Sequence, residues 1–317
     1  MLAILDLVLP LFGVIFLGYL AGKICKLPIE GLAWLNIMII YVMLPALIFK
    51  LVSITPVEEF SNLAFITATT FGTLVIFCIT FFIAGLVNGG NVGESTVQGF
   101  AGAYGNIGYM GPPLAIAAFG PEAAAPVALV FCFDNSLHFT LAPLLMAFHG
   151  KSEYSVGKLV REILGKIFTH PFILATIFAI LVALLDVKMP NAVDRLIDVL
   201  AAGAAPAALL AMGVTAALRP LKRVPLELTY ILPIKQVLHP LIVFSLLMVL
   251  APDTSPVWVH SAVLLATLPV ATNVFVIAQQ YGVWQERASS AVVISTFTSI
   301  ITVTAFLYLI REGYFTF

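Results

Sequence analysis

The chain has 317 residues, of which 61% are hydrophobic and only 10% charged, with a formal net charge of −1. Average soluble domains hold roughly 25% charged residues, so this composition cannot cover a water-facing surface and excludes a soluble fold. A near-neutral balance without a basic block excludes nucleic acid as a partner. Cys25, Cys78 and Cys132 lie in or beside apolar segments at wide spacings that suit neither a zinc site nor a disulfide framework, so no metal and no cofactor is expected.

A helix rising about 1.5 Å per residue needs about 20 apolar residues to cross about 30 Å of hydrocarbon. In chain order, the apolar runs predict ten spans near 3–21, 32–51, 63–87, 97–120, 123–148, 170–186, 192–218, 228–251, 257–282 and 289–310. The first run carries Asp6 where a leader peptide has basic residues, and further runs follow it, so it reads as a span. Turn and charge signals separate the runs, among them Asn88-Gly89-Gly90-Asn91, Gly120-Pro121, Lys188-Met189-Pro190 and Gln285-Glu286-Arg287. The segments are continuously apolar and not alternating, which excludes a β-barrel and leaves an all-α membrane protein.

Cytoplasmic loops carry the excess of Lys and Arg. Ten spans put Lys23, Lys26, Lys151, Lys158, Arg161, Lys166, Arg219, Lys222, Arg223 and Arg287 on one side, and Lys50, Lys188, Arg195 and Arg311 on the other. This sorting predicts a multi-pass protein of the cell (inner) membrane with both termini outside. Between Lys151 and Lys166, Val156, Leu159, Val160, Ile163 and Leu164 recur at helical spacing, the pattern of an amphipathic linker on the cytoplasmic surface. The expected organisation is therefore a first five-span unit over 1–150, a linker over 151–168 and a second five-span unit over 169–317.

The halves echo one another. Pro10 matches Pro171 (171 − 10 = 161), Pro45 matches Pro206 (206 − 45 = 161), and Gly120 matches Gly282 (282 − 120 = 162). An odd number of spans per half makes the second copy enter from the opposite side, so the repeat is inverted, a recurrent plan in secondary transporters. Such proteins bind substrate where matching helices are interrupted at mid-membrane. Span four contains Gly105-Asn106-Ile107-Gly108-Tyr109-Met110-Gly111-Pro112-Pro113-Leu114, and span nine contains Leu268-Pro269-Val270-Ala271-Thr272-Asn273. Prolines donate no backbone hydrogen bond and disfavour helix just before them, so both spans are expected to break, the first after Gly111-Pro112-Pro113. Unpaired backbone groups at bilayer depth are tolerated only inside protein or at a polar cavity. Asn106, Gly111, Pro112, Pro113, Pro269 and Asn273 are thus the expected substrate-binding residues. The amide dipoles of a restarted helix point to an anionic ligand, most simply a carboxylate.

The runs Asn106 to Leu114 and Pro269 to Gly282, with the opening Leu9-Pro10-Leu11-Phe12 through Leu17-Gly18-Tyr19, resemble the auxin efflux carrier family, whose plant members are the PIN-FORMED exporters. The resemblance spans essentially the whole chain. It implies a ten-span inverted repeat with two crossing broken helices and a crossover elevator. Spans one, two, six and seven would form a scaffold, and three to five with eight to ten a transport domain. It further implies a homodimer formed through the scaffold, with Asn106 and Pro113 at the first crossover. Val274 stands where plant members tend to carry the second crossover proline, and their long central loop is missing. The compact length is similar to prokaryotic members, for which malate or malonate is the usual suggestion.

Ionisable groups inside spans cost roughly 2.5–3.5 kcal/mol on insertion scales, so each is a functional candidate. Span five carries Asp134 and His138, and span eight Lys235 and His239, each pair four residues apart and hence on one helical face. A structural ion pair between Asp134 and Lys235 is one expectation, and a role in substrate or proton coupling is the other. His170 and His260, at span ends, are expected to be interfacial. The favoured function is a secondary transporter of a small organic anion. A ligand-binding membrane sensor is the alternative, and an intramembrane enzyme is disfavoured because the spans hold neither a His-Glu-x-x-His helix nor an activated-serine motif.

Overall fold

The computed structural model describes residues 2–25, 28–149, 156–219 and 224–315. Lys26, Lys151, Lys222 and Arg223, part of the charge sorting above, lie outside the described residues, as do linker residues 151–155. Among the described residues every regular element is helical, and the extended pairing is confined to an isolated bridge between Gly105 and Val270. The helices are α1 (Leu2–Cys25), α2 (Leu32–Met38), α3 (Leu44–Val52), α4 (Leu63–Val87), α5 (Val92–Ala103), α6 (Ile107–Phe119), α7 (Ala124–His149), α8 (Val156–Phe168), α9 (Pro171–Leu184), α10 (Asn191–Leu218), α11 (Leu228–Pro233), α12 (His239–Leu250), α13 (Pro256–Thr267), α14 (Thr272–Tyr281) and α15 (Gln285–Arg311). Among the described residues, 7 helical paths are long and apolar enough to cross a membrane, or up to 8 if the bent pair α8 and α9 counts as one span. Helices α6 and α13 are apolar but shorter.

Two of those paths contain a π-helical turn where the apolar runs predict ordinary helix. Ile39–Met43 joins α2 to α3, and Ile234–Leu238 joins α11 to α12. Each π turn is followed within two residues by a proline, Pro45 and Pro240, near the start of the next helix. The proline has no N–H to donate and its ring crowds the preceding turn, so a widened turn keeps the helix going where an α turn would clash. Gln285, Glu286 and Arg287, expected to be a turn, form the first turn of α15. The turn lies just upstream, where Gly282 closes α14 in a left-handed conformation (φ 70°) and Trp284 precedes α15 with φ 56°.

The chain forms two compact units: Met1–Leu63 with Ile107–Cys132 and Thr169–Arg219, and Ala64–Asn106 with Phe133–Phe168 and Pro220–Phe317. In the first unit, α1 and α10 approach closely enough to need glycine. A Cβ on Gly18 would stand 2.2 Å from the Leu210 carbonyl oxygen, and one on Gly213 would stand 1.9 Å from that of Ile15. Lipid offers no hydrophobic drive between helices, so such backbone-to-backbone packing is what holds them. Tyr109 of α6 donates to Asn36 Oδ1 of α2 at 3.1 Å in the same unit.

The second unit packs Ile76, Phe77, Val97, Phe100, Ile231, Val274 and Val292 into one core. Helix α5 starts cleanly because the Asn91 side chain accepts the Glu94 N–H at 3.1 Å, satisfying an amide that has no helical partner. Its small residues let it sink into the core: Gly99 faces the Phe77 ring and Gly102 faces Thr80. Asp134, His138, Lys235 and His239 are also buried in this unit, and they define the candidate site.

Candidate functional site

Helix α5 ends at Ala103, Tyr104 turns extended (φ −78°, ψ 99°), and α6 begins at Ile107. Helix α13 ends at Thr267, and Leu268 to Ala271 run extended before α14 begins at Thr272. The two interruptions satisfy one another. Asn106 N–H donates to the Pro269 carbonyl at 2.8 Å, and Ala271 N–H donates to the Tyr104 carbonyl at 2.9 Å, on either side of the Gly105–Val270 bridge. The first break thus lies upstream of its expected place. Gly111, Pro112 and Pro113 are buried within α6, in the other compact unit, and the helix continues through them. The chain extends at 104–106 because the extended strand at 269–271 takes up the freed amide and carbonyl there, whereas Gly108 and Gly111 remove Cβ atoms beside the prolines.

Side chains complete the second break. In an uninterrupted helix Val270 N–H would bond the Ala266 carbonyl. Val270 N–H bonds Ser295 Oγ of α15 instead, at 3.0 Å, and the Ala266 carbonyl accepts from Lys235 Nζ at 2.7 Å. Lys235 lies in the π turn and is fully buried (0% exposed). Its neighbour Gln236 is tied to α15 through the Ser295 carbonyl (2.8 Å) and the Thr298 hydroxyl (2.9 Å).

Lys235 and Asp134 make no direct ion pair, which corrects the expectation of one; they are joined through two intermediate side chains. Lys235 Nζ lies 3.2 Å from His239 Nδ1, His239 Nε2 lies 3.3 Å from Thr73 Oγ1, and Thr73 Oγ1 donates to Asp134 Oδ2 at 3.0 Å. Thr73 has one hydroxyl proton. Since it goes to Asp134, Thr73 must accept from His239 Nε2–H, which leaves Nδ1 free to accept from the ammonium. Every bond then points from the cation to the carboxylate. All four residues are buried, and Asp134 Oδ1 has no hydrogen-bond partner among the described residues.

His138 stands outside this chain. Its ring stacks on Tyr104 (centroids 4.0 Å, planes 10° apart) and meets Phe100 edge-on at 5.5 Å. Tyr104, which is not among the residues expected from the sequence, organises the other side of the joint. Its hydroxyl donates to Asn135 Oδ1 and accepts from Asn273 Nδ2 at 2.7 Å. Asn106 and Pro269 are buried, whereas Asn273 is exposed, so of the expected binding residues in this unit it is the one whose side chain reaches open space. The missed residues carried weak signals: Tyr104 adjoins the break motif, and Thr73 is one of several threonines in its span, with nothing local to single it out.

A fully buried ammonium and an open amide are thus gathered where two helices are interrupted. The model of the membrane transport protein family matches residues 3–307. The chain belongs to that family. The resemblance to auxin efflux carriers read from the Asn106 to Leu114 motif holds accordingly. A protein of Rhizobium meliloti (strain 1021) named "Putative malonate transporter" is 54% identical over 313 residues, which cover 99% of this chain and 98% of that protein. The chain is therefore a multi-pass membrane transporter and not an enzyme.

The transporter has a second polar cluster, away from the helix breaks. Arg287 Nη1 lies 2.6 Å from Glu227 Oε1 and 3.6 Å from Glu94 Oε2, joining the starts of α15, α11 and α5 beside a cavity of about 360 Å³. Partial burial alone would raise the Glu227 carboxyl. Hydrogen bonds from its own backbone, from Arg287 and from Trp284, with the Arg287 charge, outweigh burial and hold it below the usual carboxylate range.

Proposed function

We propose that this transporter carries a small carboxylate, malonate or a close relative, by alternating access, with the joint of the two interrupted helices as its binding site. The observation that carries the proposal is the Lys235 ammonium, 0% exposed, with no carboxylate of the described residues within ion-pair distance and an orphaned helix carbonyl as its partner. A buried cation that is only distantly compensated favours an anionic ligand. The name of the 54% identical relative points to the same substrate class. Asn106 and Asn273 would give direction to the bound carboxylate, and Gly111, Pro112 and Pro113 would shape the restarted helix.

In this proposal α9 and the two interrupted helices count as spans beside the 7 long ones, which makes ten in a 5+5 inverted repeat with crossing breaks. Spans one, two, six and seven form a scaffold, and spans three to five and eight to ten a moving transport domain. The division into compact units supports part of this, since α1 to α3, α9 and α10 cluster in one unit and α4, α5 and α11 to α15 in the other, while α6 and the first residues of α7 fall with the former. Dimerisation through the scaffold, inner-membrane location and outward termini complete the proposal.

Counterflow of labelled malonate in proteoliposomes tests it. Exchange that depends on internal unlabelled malonate is expected. Binding without exchange would instead mark a sensor.

A further inference from the structure

The transport reading leaves helix α8 unused. Its sequence, Val156-Gly157-Lys158-Leu159-Val160-Arg161-Glu162-Ile163-Leu164-Gly165-Lys166-Ile167-Phe168, places every large apolar side chain on one half of the helix at about 100° per residue. That half is itself divided. Leu159, Ile163 and Ile167 are half-buried, whereas Val160, Leu164 and Phe168 are 47%, 47% and 57% exposed. The exposed row follows the i, i+4, i+8 spacing and forms one continuous stripe.

The charges follow the same division. Lys166 is neutralised by Glu162 at 2.9 Å. Lys158 and Arg161 are exposed and have no ion-pair partner among the described residues, so the helix keeps two free cations. Arg161 projects only about 20° around the helix from Phe168, on the edge of the exposed stripe. An apolar stripe bordered by an unneutralised guanidinium fits a bilayer surface, with side chains among the acyl chains and cations at the phosphates. Neutral headgroups would leave the two cations uncompensated, and anionic ones would not.

We propose that α8 is a docking surface for anionic phospholipid headgroups, seated on the membrane by Val160, Leu164 and Phe168 and held by Lys158 and Arg161. Each cation near an anionic surface strengthens association roughly fivefold, and salt screens the effect.

The test is amide hydrogen exchange of residues 156–168 in the full-length protein, in nanodiscs of phosphatidylcholine alone or mixed with phosphatidylglycerol. Exchange should slow severalfold with phosphatidylglycerol, return toward the neutral-lipid rate in high salt, and lose its lipid dependence in K158Q/R161Q. The charge-preserving R161K should keep the dependence. Because these substitutions lie on the exposed polar face, malonate counterflow is an independent check that the variants are folded. Equal exchange in the two lipids, or a phosphatidylglycerol effect that survives in K158Q/R161Q, would overturn the proposal. Neither result bears on whether malonate is the substrate.

Discussion

Lys235 Nζ donates at 2.7 Å to the Ala266 carbonyl, the group that the interruption before α14 deprives of its helical partner. One side chain thus stabilises a broken helix and places a buried charge beside the break. Its hydrogen-bonded path to Asp134 compensates that charge over two intermediate residues, a weaker arrangement than contact would be.

The relay makes distant residues interdependent. Asp134→Asn or Lys235→Met alone should lower stability by about 1–3 kcal/mol, because each leaves a buried polar group without its complement. The double variant should recover part of that loss, giving a coupling of about 0.5–3 kcal/mol in thermal or denaturant unfolding. With Thr73→Val in the background the path is cut, and the coupling should fall to within about 0.5 kcal/mol of zero. Simple additivity in the Thr73 background of the native protein would show that the path carries nothing. Recovered folding without recovered transport would place the pair in function.

Gly105 is where the two interruptions meet. A Cβ there would stand 3.3 Å from both the Leu265 carbonyl oxygen and Lys235 Nζ, so Gly105→Ala must displace backbone or ammonium. We expect a stability loss of about 1–3 kcal/mol and a fall in malonate counterflow of about tenfold or more. Gly85→Ala is the control. Its Cβ would meet Ser95 Oγ at an ordinary 3.6 Å within α4, and the helix should be stabilised by about 0.4–1 kcal/mol.

Tyr104→Phe keeps the ring on His138 and removes the hydroxyl that holds Asn273. If that hydroxyl orients Asn273 for the ligand, malonate affinity should weaken by about 1–3 kcal/mol in calorimetry, with a rise in KM larger than any fall in maximal rate. Unchanged affinity would assign the hydroxyl to folding alone.

How much of this was legible in the sequence depended on whether the signal was local. Apolar runs, the charge sorting and the Asn106 to Leu114 and Leu268 to Asn273 motifs are local, and they gave the membrane class, the family and the two interruptions. The position of the first break was not local. Pro112 and Pro113 are the strongest helix breakers in the run, yet the chain opens at Tyr104 because residues 269–271, far along the sequence, supply its backbone partners. The same reason hid the Asp134 to Lys235 path. Pairing two charges by type ignores the intervening Thr73 and His239, which come from two different helices. The π turns were hidden because Pro45 and Pro240 announce a perturbation without saying whether the helix kinks or widens.

Glu227 gives a pH dependence at the other polar cluster. Its carboxyl is held below its ordinary value in the fold, so its contribution to stability is complete above the unfolded value, near 4.3, and is lost as pH falls through the folded value. Glu227→Gln should therefore lower the Tm at neutral pH and change it progressively less in more acidic buffer. A Tm difference that stays constant down to the lowest pH at which the protein folds would show that the Arg287 contact adds nothing.

The most direct measurement compares the affinity of the purified transporter for malonate with that for its neutral diamide, in the native protein and in the Asp134→Asn/Lys235→Met variant. Malonate should bind the native protein at least about tenfold more tightly than the diamide, a difference of about 1.4 kcal/mol, and the double variant should lose that preference. Equal binding of the two compounds to the native protein, or an undiminished preference for malonate in the double variant, would contradict a carboxylate site built around Lys235.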